Sequence, residues 1–381
     1  MRIFKSYFII LLAPALFAAC RKDAKPIPEK VTDITPPDTG LLKGMYVLNE
    51  GNMSSNKASL DFLDFSTGKY RQNIYGQANP NVVKNLGDVG NDVGIYGSKL
   101  YAVINNSNKV EVMQAGSAKR IGQVDIQNCR NIIFNNGKAY VSAFLGVVGD
   151  PKAPNGAVYE IDTASLQITR KVTVGRQPEE IAIAGNKLYV ANSGGYTPSN
   201  YERTISVVDL ASFTVTKSID VAINLDKLKA DAYGDLYVTS RGDYYNISPD
   251  LYVIDTKTDQ IKKDFKLPVS NFCISGDTAY MYSVAFSYVT GKNAVAYSML
   301  DVKTETIVDK KFITDGTDQQ IKVPYGIAVN PVTKEVYVAD AKDYVTPGTL
   351  YCFDTNGKKK WSVITGDIPG HFAFLYNTNH Q

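Results

Sequence analysis

One short pattern recurs along nearly the whole chain, and a repeat of this kind decides the class of fold before any other feature is read. An apolar stretch leads to a tight Gly or Asn turn. A second stretch follows, with a Tyr near its end and small or β-branched residues after it. Copies are DVGIYGSKLYAVINNS (92–107), RNIIFNNGKAYVSAF (130–144), EEIAIAGNKLYVANS (179–193), KLKADAYGDLYVTSRG (227–242), SNFCISGDTAYMYSV (270–284) and YGIAVNPVTKEVYVAD (325–340). The shared tyrosines are Tyr101, Tyr140, Tyr189, Tyr237, Tyr280 and Tyr337, and Tyr46 in GMYVLNEG supplies a seventh. Each unit continues into a second hairpin, as in GAVYEIDTASLQITRKVTV and RTISVVDLASFTVTKSIDV. Apolar and polar residues alternate between turn residues, which is the period of strands, and helical periodicity is nowhere sustained. Four strands every ~40–50 residues is the propeller pattern, so the expected fold is all-β: a seven-bladed β-propeller.

The two ends of the repeat fit together. IPGHFAFLYN (368–377) matches the first strand of a unit, and GMYVLNEG matches the second. Joined, they predict a closing blade formed from both chain termini, with no sheet edge left open as in a linear array. The propeller is therefore expected over 41–377, with a short tail at 378–381. A β-solenoid or a pair of sandwiches fits this split repeat poorly.

The chain opens MRIFKSYFIILLAPALFAAC. Arg2 and Lys5 form a basic start, and Tyr7 to Ala19 is apolar apart from Pro14. That is short for a membrane span of ~20 residues, which favours a cleaved signal over 1–19. Phe17-Ala18-Ala19-Cys20 resembles a bacterial lipobox, which implies lipidation of Cys20 and cleavage before it. The plainer alternative is an ordinary secretory signal cut near Ala19. Residues 20–40 are rich in Pro and charge and read as a flexible tether. No later stretch approaches the length of a transmembrane segment. Net charge is +3, and +1 without Arg2 and Lys5, so there is no electrostatic footprint for nucleic acid. Besides Cys20, Cys129, Cys273 and Cys352 are odd in number and widely spaced, which argues against a disulfide framework and for small buried strand residues.

Catalytic side chains are scarce. The chain holds two histidines, His371 and His380, so a multi-His metal site is ruled out and a Ser-His-Asp arrangement could draw only on His371. No EF-hand, P-loop or GxSxG motif occurs, and no cofactor is expected. The lone Trp361 reads as packing. The loops carry more. In each unit the connection from second to third strand emerges on the face where the chain passes to the next blade. Several of these connections are long and aromatic: SGGYTPSNYERT (193–204), RGDYYNISPD (241–250), FSYVTGKN (286–293) and AKDYVTPG (341–348). Tyr196, Tyr201, Tyr244, Tyr245, Tyr288 and Tyr344 are thereby expected to rim one face. Arg130, Glu179, Tyr325 and His371 join them from strand starts, and Asn49, Glu50, Asn106, Asn192, Arg241 and Asp340 from strand ends. Tyr offers a large, stiff contact surface with a polar tip, which suits a large flat amphipathic ligand or a protein surface. The competing reading is that these tyrosines only pack long loops onto the blades; long loops on a rigid scaffold more often carry function.

GMYVLNEGN, YGSKLYAVINNSNKVEV and the repeated KLYVANS and VVDLASF units resemble the YncE-like propeller lipoproteins of Bacteroidota, over nearly all of the chain after the signal. A subset of that family captures vitamin B12 at the cell surface (BtuG-like) and passes the corrinoid to a TonB-dependent outer-membrane transporter. The resemblance implies an outer-membrane lipid anchor and an accessory capture role, with a corrinoid as the ligand and the tyrosine-rimmed face as its seat. In that phylum, Lys and acidic residues just after the lipidated Cys resemble a surface-export signal. Here Arg21-Lys22-Asp23-Ala24 carries the Lys-Asp start without a second acid, so cell-surface and periplasmic orientations both stay open. Alternatives from other classes are a scaffold binding envelope proteins or polymers, and a propeller lyase or hydrolase.

Overall fold

The computed structural model describes residues 30–35, 40–83, 85–146, 150, 152–287 and 291–377. The signal, Cys20, most of the tether, Tyr288, His380 and the tail at 378–381 lie outside the described residues. Strands form seven antiparallel sheets, and the described helices amount to one turn at Ile74–Ala78 and a 3-10 turn at Thr317–Gln320. This is the expected seven-bladed β-propeller.

Six blades are consecutive runs of four strands. Blade 1 is Gly90–Tyr96, Lys99–Ile104, Lys109–Gln114 and Arg120–Asp125; blade 2 runs from Cys129–Asn135 to Ile168–Thr173, and blade 3 from Pro178–Ala184 to Thr214–Asp220. Blade 4 begins at Leu225–Ala230, blade 5 at Asn271–Ser275 and blade 6 at Pro324–Val329. In the closing blade the last strand, Pro369–Tyr376, pairs antiparallel with Leu42–Asn49, which continues to Ser59–Asp64 and Lys69–Arg71. Val31–Asp33, inside the stretch read as a tether, adds a fifth strand against Lys69–Arg71. It covers a strand that would otherwise be the blade's outer edge.

The apolar core is divided between the blades. Alternate residues of each sheet face its neighbours, so a separate cluster fills each junction. Val103, Val112, Ile132 and Val141 join blades 1 and 2, for example, and Leu236, Ile254, Ala182 and Ile205 join blades 3 and 4. Trp361 packs in the junction of blade 6 with the closing blade, its ring 5.9 Å from that of Tyr337. Cys129, Cys273 and Cys352 are unbridged and lie on strands; Cys129 and Cys352 are buried, and Cys273 is half-buried.

Candidate functional site

The first strand of every blade lines the central channel and carries the same local sequence logic. Two residues at the channel mouth precede an apolar one: Asn91-Asp92 before Val93, Arg130-Asn131 before Ile132, Glu179-Glu180 before Ile181, Asp226-Lys227 before Leu228. Tyr325-Gly326 precedes Ile327, and Gly370-His371 precedes Phe372. A strand alternates, so two consecutive residues should not share one face. The pairing register explains how they do. It shifts between Gly90 and Asp92, Pro178 and Ile181, Leu225 and Leu228, Pro324 and Ile327, and opposite Cys129–Ile132 and Pro369–His371. Each shift is a bulge at the mouth end of the strand, where it re-aims side chains toward the axis. Blade 5, which has no such shift, contributes Asn271 in regular register.

Of these mouth residues all but Asp92, Glu180 and Gly326 line a cavity of about 590 Å³ to which all seven blades contribute, and Asp92 and Glu180 line the channel beneath it. The cavity floor is a network of ion pairs. The Arg130 guanidinium meets Glu179 at 2.9 Å and donates to the Asn91 amide oxygen at 2.8 Å. Arg241 reaches the other Glu179 oxygen at 3.3 Å and Asp226 at 2.7 Å. Lys229 and Lys227 hold Glu180 at 2.9 and 3.4 Å. Burial alone would raise both glutamates; the flanking cations more than offset it, leaving Glu179 below the usual carboxylate range and Glu180 at about 2. Across the cavity, Tyr325 donates to Glu50 at 2.9 Å, and the His371 Nε2 sits 3.0 Å from the other Glu50 oxygen. Asp92 lies below, 3.9 Å from His371 Nδ1, and burial raises its carboxyl. Charges of both signs are present and matched.

Tyrosines form the wall. The loops after the second strands of blades 4 and 6 use one device. Asp243 accepts from the backbone N–H groups of Tyr245, Asn246 and Ile247, and Asp343 from those of Val345 and Thr346. The residue after each Asp, Tyr244 or Tyr344, is held in the left-handed region at φ 64 or 63. That region disfavours a side chain as large as Tyr, so the loops hold a costly conformation that presents the ring to the cavity. Tyr344 meets Tyr325 edge-on at 6.0 Å, and its carbonyl accepts from Asn52 of the closing blade. On the blade 3 side, Phe144 lies between the Arg130 guanidinium, 4.7 Å from its ring, and the Tyr196 ring at 6.3 Å.

Of the residues expected from sequence, Tyr196, Arg241, Tyr244, Tyr325, Tyr344, Arg130, Glu179 and His371 come together around this cavity. Tyr201 and Tyr245 do not line it. Tyr201 is half-buried next to the blade 4 loop, and Tyr245 is 86% exposed beyond the rim. Of the strand-end residues, Glu50 and Arg241 reach the cavity. Asn49, Asn192 and Asp340 instead serve the scaffold: Asn49 bonds Ser59, Asn192 bonds Ser206, and Asp340 accepts from the Val323 and Lys342 N–H groups. Asn91, Asn131, Asp226, Lys227, Asn271 and Tyr282 line the cavity without having been singled out. Carrying the position of Arg130 and Glu179 through every repeat finds Asn91 and Asp226, and the position after it, held by His371 in the closing blade, finds Asn131 and Lys227. Among the described residues no cluster of three or more His, Cys, Asp or Glu is arranged to hold a metal ion, and no helix is long and apolar enough to cross a membrane.

Comparison with solved structures returns chains of similar fold and distant sequence. A chain of "Kuenenia stuttgartiensis Hydrazine Synthase" matches at TM-score 0.55 and 16% identity, covering 70% of this chain and 77% of that one. The computationally designed Ika8 protein matches at 0.54 and 11%, covering 88% and 98%. A chain of the Mitotic Checkpoint Complex matches at 0.55 and 10%, covering 74% and 82%. At these identities the likeness is one of fold alone. No curated protein matches the sequence. Residues 43–374 match the family described as "Domain of unknown function (DUF5074)", and the chain belongs to that family.

Proposed function

We propose that this protein is a ligand-capturing lipoprotein of the cell envelope, anchored through Cys20, whose channel mouth binds a large, flat, amphipathic molecule. A corrinoid is the best single candidate, with delivery to a TonB-dependent outer-membrane transporter. One observation carries the reading: a cavity shared by all seven blades has an internally neutralised polar floor and a wall of exposed tyrosines. Paired charges give little reward to a strongly charged ligand, whereas tyrosine faces and carboxamides suit a broad ring system edged with neutral polar groups.

The test is thermal denaturation with cyanocobalamin. At ~100-fold the dissociation constant, one-site binding adds about 2.7 kcal/mol of stability. Tyr244→Ala and Tyr344→Ala are each expected to weaken binding about thirty-fold, the usual loss for a well-packed contact aromatic. The control is Asn136→Gly on the opposite face, where Asn136 is exposed and left-handed at φ 47, so glycine fits without strain. No stabilisation by any corrinoid removes the ligand assignment, and a loss confined to the control inverts the face. A second reading, a scaffold for envelope proteins or polymers, is favoured by the apolar surface beyond the cavity: Tyr245, Val345 and Ile247 are 86%, 64% and 52% exposed.

A further inference from the structure

Some amides around the channel mouth are committed to the protein. Asn224 donates to the Gly242 carbonyl at 3.0 Å and Asn271 to the Tyr325 carbonyl at 2.9 Å. Three on blades 1 and 2 are not fully committed. The Asn131 side chain is 7% exposed, has no hydrogen-bond partner among the described residues, and lies where the mouth cavity meets the channel beneath it. Asn91, 8% exposed, accepts from Arg130 through its oxygen and leaves its NH2 group without a partner. Asn105, 3% exposed, donates to the Cys129 carbonyl at 3.0 Å and leaves its oxygen without one. Their unpaired atoms open onto the cavity and keep hydrogen-bonding capacity that the protein does not use. Three such groups on adjacent blades face the space a ligand would fill, where a polar group can complete them.

We infer that Asn91, Asn105 and Asn131 form a subsite that reads a neutral group able both to donate and to accept, a primary carboxamide or a vicinal hydroxyl pair, on the edge of the ligand. The inference rests on the mouth cavity being a binding site, and not on the ligand being a corrinoid. The neighbouring charges are already paired, Glu180 with Lys227 and Lys229 and Arg130 with Glu179, so an ionic group at Asn131 finds no free counter-charge. A neutral group needs none, and the free atoms offer both a donor and an acceptor. The subsite also sets an orientation: the lining tyrosines lie on blades 3 to 6, so the ligand's ring system leans there and its polar edge points to blades 1 and 2.

The experiment uses the full propeller with 15N-labelled asparagine side chains, titrated with acetamide and, separately, with acetate. A four-heavy-atom probe binds in about the millimolar range, so both are taken to high millimolar concentration. Acetamide is expected to shift the Asn131 and Asn91 NH2 signals in a saturable way, and acetate is expected to leave them in place. Asn131→Leu should weaken the acetamide response at Asn91 about tenfold, the effect of losing one hydrogen bond. Its remaining side-chain spectrum reports whether the fold is intact. Shifts by acetate equal to those by acetamide, or none by either, overturn the subsite; the second result leaves water as its occupant. The two readings separate cleanly. Cyanocobalamin can fail to stabilise the protein while acetamide still shifts Asn131, and the reverse result removes the subsite and keeps the corrinoid.

Discussion

Burial pushes the Cys129 and Cys273 thiols up to about 12, and Cys352 higher still, so these three side chains are poor nucleophiles in the folded protein. The proposed anchor rests instead on Cys20, where the small residues before it resemble a lipobox. Cys20→Ser is expected to abolish labelling by a fatty-acid analogue and to move the protein from the membrane to the soluble fraction. Unchanged labelling would remove the anchor. Residue identity was readable from sequence only where one position carried the signal. Arg130, Glu179, Tyr325 and His371 stand out as polar or bulky residues at strand starts. Asn131 and Lys227 did not, because an alternating strand turns only one of two neighbours toward the axis; Asn91 and Asp226 hold the Arg130 position and were within reach of a repeat alignment. The bulges that bring in the second follow from pairing register, which a single strand's residues do not encode. Asn49 and Asn192 misled for a related reason: an amide at a strand end can cap a neighbouring strand as readily as face a ligand.

At four of its seven positions the recurring tyrosine is an inter-blade fastener. The Tyr46 hydroxyl donates to the Ala115 carbonyl in blade 1, and Tyr101 to Thr163 in blade 2 at 3.5 Å. Tyr189 donates to Thr256 in blade 4 at 3.3 Å, and Tyr237 to Val302 in blade 5 at 3.1 Å. In each case a second-strand ring fills the junction, and its hydroxyl satisfies the turn between the third and fourth strands of the next blade. At these four positions Tyr does what Phe could not: the ring supplies apolar burial and the hydroxyl supplies a partner for a carbonyl of the next blade. Tyr237→Phe keeps the ring and leaves the Val302 carbonyl without that donor. It should lower stability by about 1–3 kcal/mol in a urea titration, with the slope of the transition unchanged. No loss of stability would mean the bond is incidental. At this scale strand positions and turns were readable in advance, since period-2 alternation and Gly or Asn turns act locally. The strand at Val31–Asp33 was not, because its three residues carry no alternation long enough to read against the Pro-rich stretch around them.

Seven junction clusters share the apolar core, so the ring stands or falls on every sheet being complete. Deleting 368–381 removes the strand Pro369–Tyr376. It leaves Leu42–Asn49 unpaired on one side and exposes the apolar faces of blade 1 and blade 6 that it covers. The shortened protein is expected to aggregate or to melt far below the parent. Melting within a few degrees would show that this strand is dispensable. The same pairing imposes an order on assembly. Blades 1 to 6 are each built from neighbouring stretches of chain and can form as they are synthesised. Leu42–Asn49 emerges before any of them, yet its partner is the last strand made, so the closing blade waits for a contact of very long sequence separation. Glu50, Gly370 and His371 enter the mouth cavity only with that contact. A chain that stops short is an open arc without a finished cavity, so the ligand binding proposed above is expected of completed molecules alone.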